Sequence, residues 1–169
     1  MDAVVYVTNT GSAKGYAEML SRSLDAPALE LNDAVKKLNK GSDIVFVGWV
    51  FASTVKGYKK AAKFFNISAV CAVGINKTGT AADAVRSKTK IQSSIPLFTL
   101  QGNFDVNRLK GIYRFVMKTM LNKLSSKENK TDDEKEMLEA MENGKHNVKF
   151  EALSGFFNWY MENKNESKI

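Results

Sequence analysis

Short apolar runs recur along this chain, each separated from the next by a stretch of helical character, and that alternation limits the folds open to it. Asp2 to Val7, Ala28 to Leu31, Asp43 to Gly48, Ala69 to Ile75 and Ser94 to Leu100 read as strands. The second is the weakest, a short alternating piece preceded by Pro27 and closed by Asn32-Asp33. Asp43-Ile44-Val45-Phe46-Val47-Gly48 is a continuous apolar run, as expected of a strand covered on both faces. Between the strands, Lys14 to Leu24 sets Tyr16, Ala17, Leu20 and Leu24 at helical spacing. Val55 to Phe65 is amphipathic and rich in lysine, and Thr80 to Ile91 is a weaker helix. Parallel neighbours require a right-handed crossover at each step, so the pattern predicts an α/β fold: a doubly wound sheet of five parallel strands with helices on both faces.

From Asp105 onward the periodicity is helical. Leu109, Ile112, Tyr113, Val116, Met120 and Leu124 fall on one face, and Lys110, Arg114 and Lys118 recur four apart on another. Ser125 to Lys130 is polar and reads as a connector. Thr131-Asp132-Asp133-Glu134 fits a capping box for a helix reaching about Met141 and ended by Asn143-Gly144. A last amphipathic stretch, Ala152 to Met161, carries Leu153, Phe156, Phe157, Trp159 and Tyr160. The expectation is one domain over residues 1–169, with a core in 1–105 and a helical part in 106–169.

The formal net charge of +7 lies mostly in the front part, in runs such as Lys56, Lys59, Lys60 and Lys63. A solvated helix face accounts for such runs. Nucleic acid is not an expected partner, because no module signature and no arginine–aromatic interleaving accompanies the charge. The single cysteine, Cys71, sits in the apolar run Ala69 to Val73, where a buried thiol is the ordinary reading. With no disulfide framework, no signal-peptide pattern and no run long enough to span a bilayer, the expected location is cytoplasmic.

In an open α/β sheet, ligands bind outside the carboxyl ends of the strands. Three loops expected there carry unusual residues. Thr8-Asn9-Thr10-Gly11-Ser12-Ala13 is rich in hydroxyls, contains a glycine and no acid, and opens a helix. Those are the requirements of a phosphate cradle, in which backbone N–H groups and the helix dipole face the anion. The stretch containing Trp49, Val50, Phe51 and Ala52, followed by Ser53-Thr54, offers aromatic walls. Gly102, Asn103 and Phe104 follow the last strand with amide and backbone hydrogen-bonding groups. Together they suit a phosphorylated planar ring.

Thr8-Asn9-Thr10-Gly11-Ser12-Ala13 resembles the phosphate loop of the flavodoxin family, T/S-x-T-G-x-T, and the order of strands and helices resembles the flavodoxin-like fold. The resemblance covers about residues 1–105 and implies a sheet order of 2-1-3-4-5 and bound flavin mononucleotide (FMN). It makes Thr8, Thr10, Gly11 and Ser12 phosphate ligands, with Asn9 and Ala13 adding backbone N–H groups. Trp49 and Phe51 would pack on the flavin, Gly102 and Asn103 would line its other side, and Phe104 stands near the position of a ring-stacking tyrosine. Ala13 departs from the family's final threonine, a loss worth about 1 kcal/mol of hydrogen bonding.

The run Leu109 to Lys118 is similar to a basic, Met-bearing helix in the subgroup that includes menaquinone-dependent protoporphyrinogen oxidases. The flavodoxin resemblance implies flavin electron transfer with a redox partner protein or a small acceptor such as a quinone. The similarity to this subgroup implies, as an alternative, a protoporphyrinogen-oxidase-type flavoenzyme that passes electrons to a quinone. It also implies peripheral membrane contact through the basic helix. A flavin-free interaction module of the same fold is the alternative from another class. Each feature also has a plainer reading: a capped helix start for the first loop, strand-end core for Trp49 and Phe51, and a surface position for His146. Met19, Met117, Met120, Met137, Met141 and Met161 read as core filling.

Overall fold

A computed structural model of the protein describes residues 1–103, 109, 111–132, 134, 135, 138 and 147–166. Five parallel strands form the sheet: β1 (Ala3–Val7), β2 (Ala28–Glu30), β3 (Asp43–Phe51), β5 (Asn66–Gly74) and β6 (Leu97–Gln101). Their spatial order is β2-β1-β3-β5-β6. Counting parallel strands alone, this is the expected order 2-1-3-4-5. The additional strand β4 (Thr54–Val55) folds back antiparallel on the end of β3, with Val50 opposite Val55 and Phe51 opposite Thr54.

Helices cover both faces. On one side α1 (Ser12–Leu24) buries Ala13, Tyr16, Ala17 and Leu20 against Val4, Val45, Val47, Cys71 and Val73. The same side is completed by a 3-10 turn (Phe150–Leu153) and α6 (Ser154–Glu166), whose Phe156 is fully buried beside Leu153. Phe98, Phe156, Trp159 and Tyr160 form an aromatic cluster there. On the other side lie α2 (Leu31–Lys37), α3 (Tyr58–Phe64) and α4 (Ala82–Thr89), which bury Leu31, Ala34, Tyr58, Ala61 and Val85 against Val5, Phe46, Val70 and Ala72.

Several boundaries differ from the sequence reading. Asn32-Asp33 does not close β2 as a turn; α2 starts at once, because the Glu30 carboxylate accepts from the Asn32 N–H at 2.8 Å and Leu31 and Ala34 bury a face. The lysine-rich helix begins at Tyr58, not Val55, since Val55 pairs in β4 and Gly57 caps the helix at φ 84°. The last strand begins at Leu97, after Pro96, which has no N–H for the ladder. The capping box at Thr131 is formed: the Glu134 carboxylate accepts from the Thr131 N–H at 2.8 Å, and the Glu134 N–H donates to Thr131 Oγ1 at 3.2 Å. A hydrogen bond from Lys127 holds the Glu134 carboxyl below its usual range.

Between β6 and the 3-10 turn the chain makes a long excursion that includes α5 (Ile112–Ser125). Its Met117 and the preceding Leu109 pack with Phe51, Ile75, Tyr113 and Leu121, so α5 lies over the carboxyl ends of β3 and β5. The expected helical start at Asp105, together with Phe104, Lys110, Met137, Met141, Asn143-Gly144 and His146, lies outside the described residues. No helix among the described residues is long and apolar enough to cross a membrane.

Candidate functional site

A cleft of about 570 Å³ opens at the carboxyl edge of the sheet, beneath α5. That size falls within the range of small-molecule sites, about 300–1,000 Å³. One end is polar and is built from the β1–α1 loop. Gly11 adopts φ 102°, a left-handed conformation open to glycine at little cost, and α1 then starts with no side-chain cap and no acid in its first turn. The N–H groups opening α1 therefore keep their positive potential for a ligand. Thr8 Oγ1 accepts from the Gly11 N–H at 3.0 Å and so fixes the loop's curl.

The Ser12 hydroxyl is tied to the far side of the cleft. It accepts from the Asn103 N–H at 2.9 Å and donates to the Asn103 carbonyl at 3.4 Å. This pairing needs Gly102, because a Cβ there would lie 2.9 Å from Val73 Cγ1 and 3.1 Å from Ser12 Cβ. The Asn103 side-chain oxygen accepts from the N–H groups of Asn147 and Val148, at 2.5 and 3.1 Å. The Tyr16 hydroxyl donates to the Gln101 carbonyl at 2.7 Å and lies 3.2 Å from that of Asn147. Burial raises the Tyr16 pKa above its ordinary value, which keeps the phenol protonated as a donor.

The aromatic wall comes from the β3–β4 hairpin. Trp49 and Phe51, two apart on an extended strand, point the same way, and their ring centroids are 6.0 Å apart. Tyr113 of α5 meets each edge-on with centroids 4.9 Å away, and Lys56 Nζ lies 5.4 Å from the Phe51 centroid. Ala52 and Ser53 turn the hairpin with φ 49° and 57°, the left-handed pair of a type I′ turn without its usual Asn-Gly. Gly48 permits the fold-back, since a Cβ there would meet the Val55 methyl and come within 2.9 Å of the Lys56 carbonyl. Thr89 of α4, 1% exposed, accepts from the Val55 N–H at 3.0 Å and anchors the hairpin to the opposite layer.

The structure brings Thr8, Thr10, Ser12, Ala13, Trp49, Val50, Phe51, Ala52, Gly102 and Asn103 to the lining of this cleft. Asn9 and Gly11 shape the same loop without lining it, and Phe104 lies outside the described residues. Ala13 is only 1% exposed and packs in the core with Tyr16 and Ala17, so a threonine there adds atoms to a filled space. Sequence reasoning overlooked the loop after β5, whose Ile75, Asn76, Thr80 and Ala81 also line the cleft. The signal was present: Gly74 to Thr80 is a loop with glycines and hydroxyls leaving a parallel strand's carboxyl end. It also overlooked the apolar roof of Leu109, Val116, Met117 and Met120. No protein-family model matches this sequence, and neither a curated protein nor a solved structure matches it.

Proposed function

We propose that this chain is a flavodoxin-like protein that binds FMN non-covalently in the cleft beneath α5 and takes part in electron transfer. One observation carries the reading: an uncapped helix start with a hydroxyl-rich loop and the Trp49–Phe51 wall line the same cleft. In this reading the N–H groups opening α1 and the hydroxyls of Thr8 and Thr10 hold the phosphate. Ser12 contributes its N–H, since its hydroxyl holds Asn103. Trp49 and Phe51 stack near the ring, and the apolar roof of Met117 and Met120 keeps water from it. Bound FMN supplies the one- and two-electron chemistry, while the protein supplies binding, orientation and electrostatics.

The roof also favours a more specific reading, a flavoenzyme that passes electrons to a quinone. Leu109, Val116, Met117 and Met120 extend the cleft with apolar surface that a phosphate or ribityl chain does not need. The test is a visible spectrum with and without excess FMN, followed by fluorescence titration. The expected result is a flavin spectrum retained after desalting, with emission quenched through Trp49. Thr10→Ala should weaken binding by about tenfold to a hundredfold, as one lost hydrogen bond to a charged group allows. A protein that stays colourless after mixing and desalting would leave the flavin-free interaction module as the better account.

A further inference from the structure

The cleft wraps round the carboxyl edge of the sheet and so has two arms. One lies on the α1 side, where Ser12, Ala13, Val73 and Leu100 line it. The other lies on the α4 side and is lined by Ala72, Gly74, Ala81, Val85 and Thr99. Ala72 and Val85 pack in the core of that face, and Thr99 stands opposite Ala72 in the β5–β6 register, so its side chain points the same way. Small residues leave this arm open: a Cβ at Gly74 would meet only Val50, at 3.5 Å, an ordinary contact. The loop after β5 is pinned over it, with the Gly79 N–H donating to the Thr99 carbonyl and Thr78 Oγ1 accepting from the Gln101 N–H, both at 3.0 Å. Thr99 is 9% exposed, and its hydroxyl is sealed from water with no hydrogen-bond partner among the described residues. No other buried side-chain polar atom among them is left so. Burying an unpaired hydroxyl is unfavourable, yet the fold keeps one beside open space. Ala81, which lines the same arm, opens α4 at φ 58° with no side-chain cap for the helix's first N–H groups.

We infer that this second arm binds an uncharged carbonyl group carried on a compact apolar body, the carbonyl oxygen accepting from the Thr99 hydroxyl and from N–H groups at the start of α4. No charged side chain lines the cleft among the described residues, and Asp83 stands in the first turn of α4, so an anion gains little here. A neutral acceptor uses both kinds of donor without burying a charge. The Thr99 hydroxyl reaches it by one staggered step about Cα–Cβ, which exchanges the hydroxyl with the methyl group. Water is a poor substitute, because the walls formed by Ala72, Gly74 and Val85 offer it few further partners. The inference concerns the arm away from the start of α1 and stands whether or not the cleft holds flavin.

The experiment is an NMR titration of the full chain, following backbone amide shifts, with three probes: acetophenone, its hydrocarbon counterpart isopropylbenzene, and benzoate. Acetophenone is expected to bind more tightly than either of the others and to shift the amides of Ala81, Ala82 and Thr99. Thr99→Val should weaken acetophenone about threefold to tenfold, as one lost neutral hydrogen bond allows, and leave isopropylbenzene unchanged. Gly74→Ala places a methyl group in the arm and should weaken both neutral probes. With no probe present, Thr99→Val should raise the urea midpoint, because the unpaired hydroxyl is gone. A lowered midpoint would show that the hydroxyl is already bonded within the fold, and the inference would fall. It would fall equally if acetophenone bound no better than isopropylbenzene, if its preference survived Thr99→Val, or if benzoate bound most tightly. Shifts confined to the β1–α1 loop would place the carbonyl in the other arm and overturn it as well.

Discussion

The sheet with its covering helices and the excursion that carries α5 are built on opposite principles. In the core, each strand of the parallel path is flanked by helices that bury their apolar faces, and Tyr16, Phe46 and Phe156 are fully enclosed. In α5 only Met117 is buried, while Ile112, Phe115, Val116 and Met120 are exposed. The core therefore derives its stability from enclosure, and the excursion contributes surface. Substitutions should separate the two: core changes alter stability, and changes at the exposed positions of α5 leave it nearly unchanged.

The largest effect is expected at Gly48. Gly48→Ala forces a methyl against Val55 and the Lys56 carbonyl, which should cost about 3 kcal/mol, read as a lower urea midpoint. It should also displace Trp49 and Phe51 and, on the proposed reading of the cleft, weaken FMN binding. An unchanged midpoint would mean the hairpin is not packed as described.

A smaller, pH-dependent effect comes from Cys71. Burial pushes its thiol from 9.0 up to about 12, so the fold favours the protonated form. Its contribution is whole below pH 9.0 and is lost as pH rises toward about 12, by up to about 1.4 kcal/mol per pH unit. The tyrosines Tyr16 and Tyr58, also raised by burial, act in the same direction above 10.0. Chemical denaturation at stepped alkaline pH should show this slope, and Cys71→Ala should flatten its first part. The smallest effect is expected in α5, where Ile112→Ser with Phe115→Ser should change the unfolding free energy, read from urea denaturation, by no more than about 0.5 kcal/mol. A large destabilisation there would show that the exposed strip supports the fold, and the contrast between the regions would collapse.

The core was legible because its signals are local and repeated. Continuous runs such as Asp43 to Gly48 have few other homes than a covered parallel strand. The polar end of the cleft was legible because Thr8 to Ala13 concentrates hydroxyls and glycine at one strand end. The hairpin was not, since Ala52-Ser53 adopts a type I′ turn without the residues that usually announce one. Helix α2 was hidden because Asn32-Asp33 resembles a turn, and its cap is the less usual Glu30 carboxylate. The double duty of Asn103 was invisible for another reason: its partners, Ser12 and Asn147, lie 91 and 44 residues away.

That same side chain has a consequence for how this protein could be altered. Asn103 sits where the chain departs from the sheet, and its carboxamide oxygen receives the chain where it returns, at Asn147 and Val148. The excursion thus leaves and re-enters at one clasp, like an attachment plugged into a socket. A chain in which residues 104–146 are exchanged for a short Gly-Ser bridge should retain both faces of the sheet, as near-ultraviolet circular dichroism would report. The socket would then be open to other attachments, which makes the roof of the cleft the natural place for this architecture to diversify.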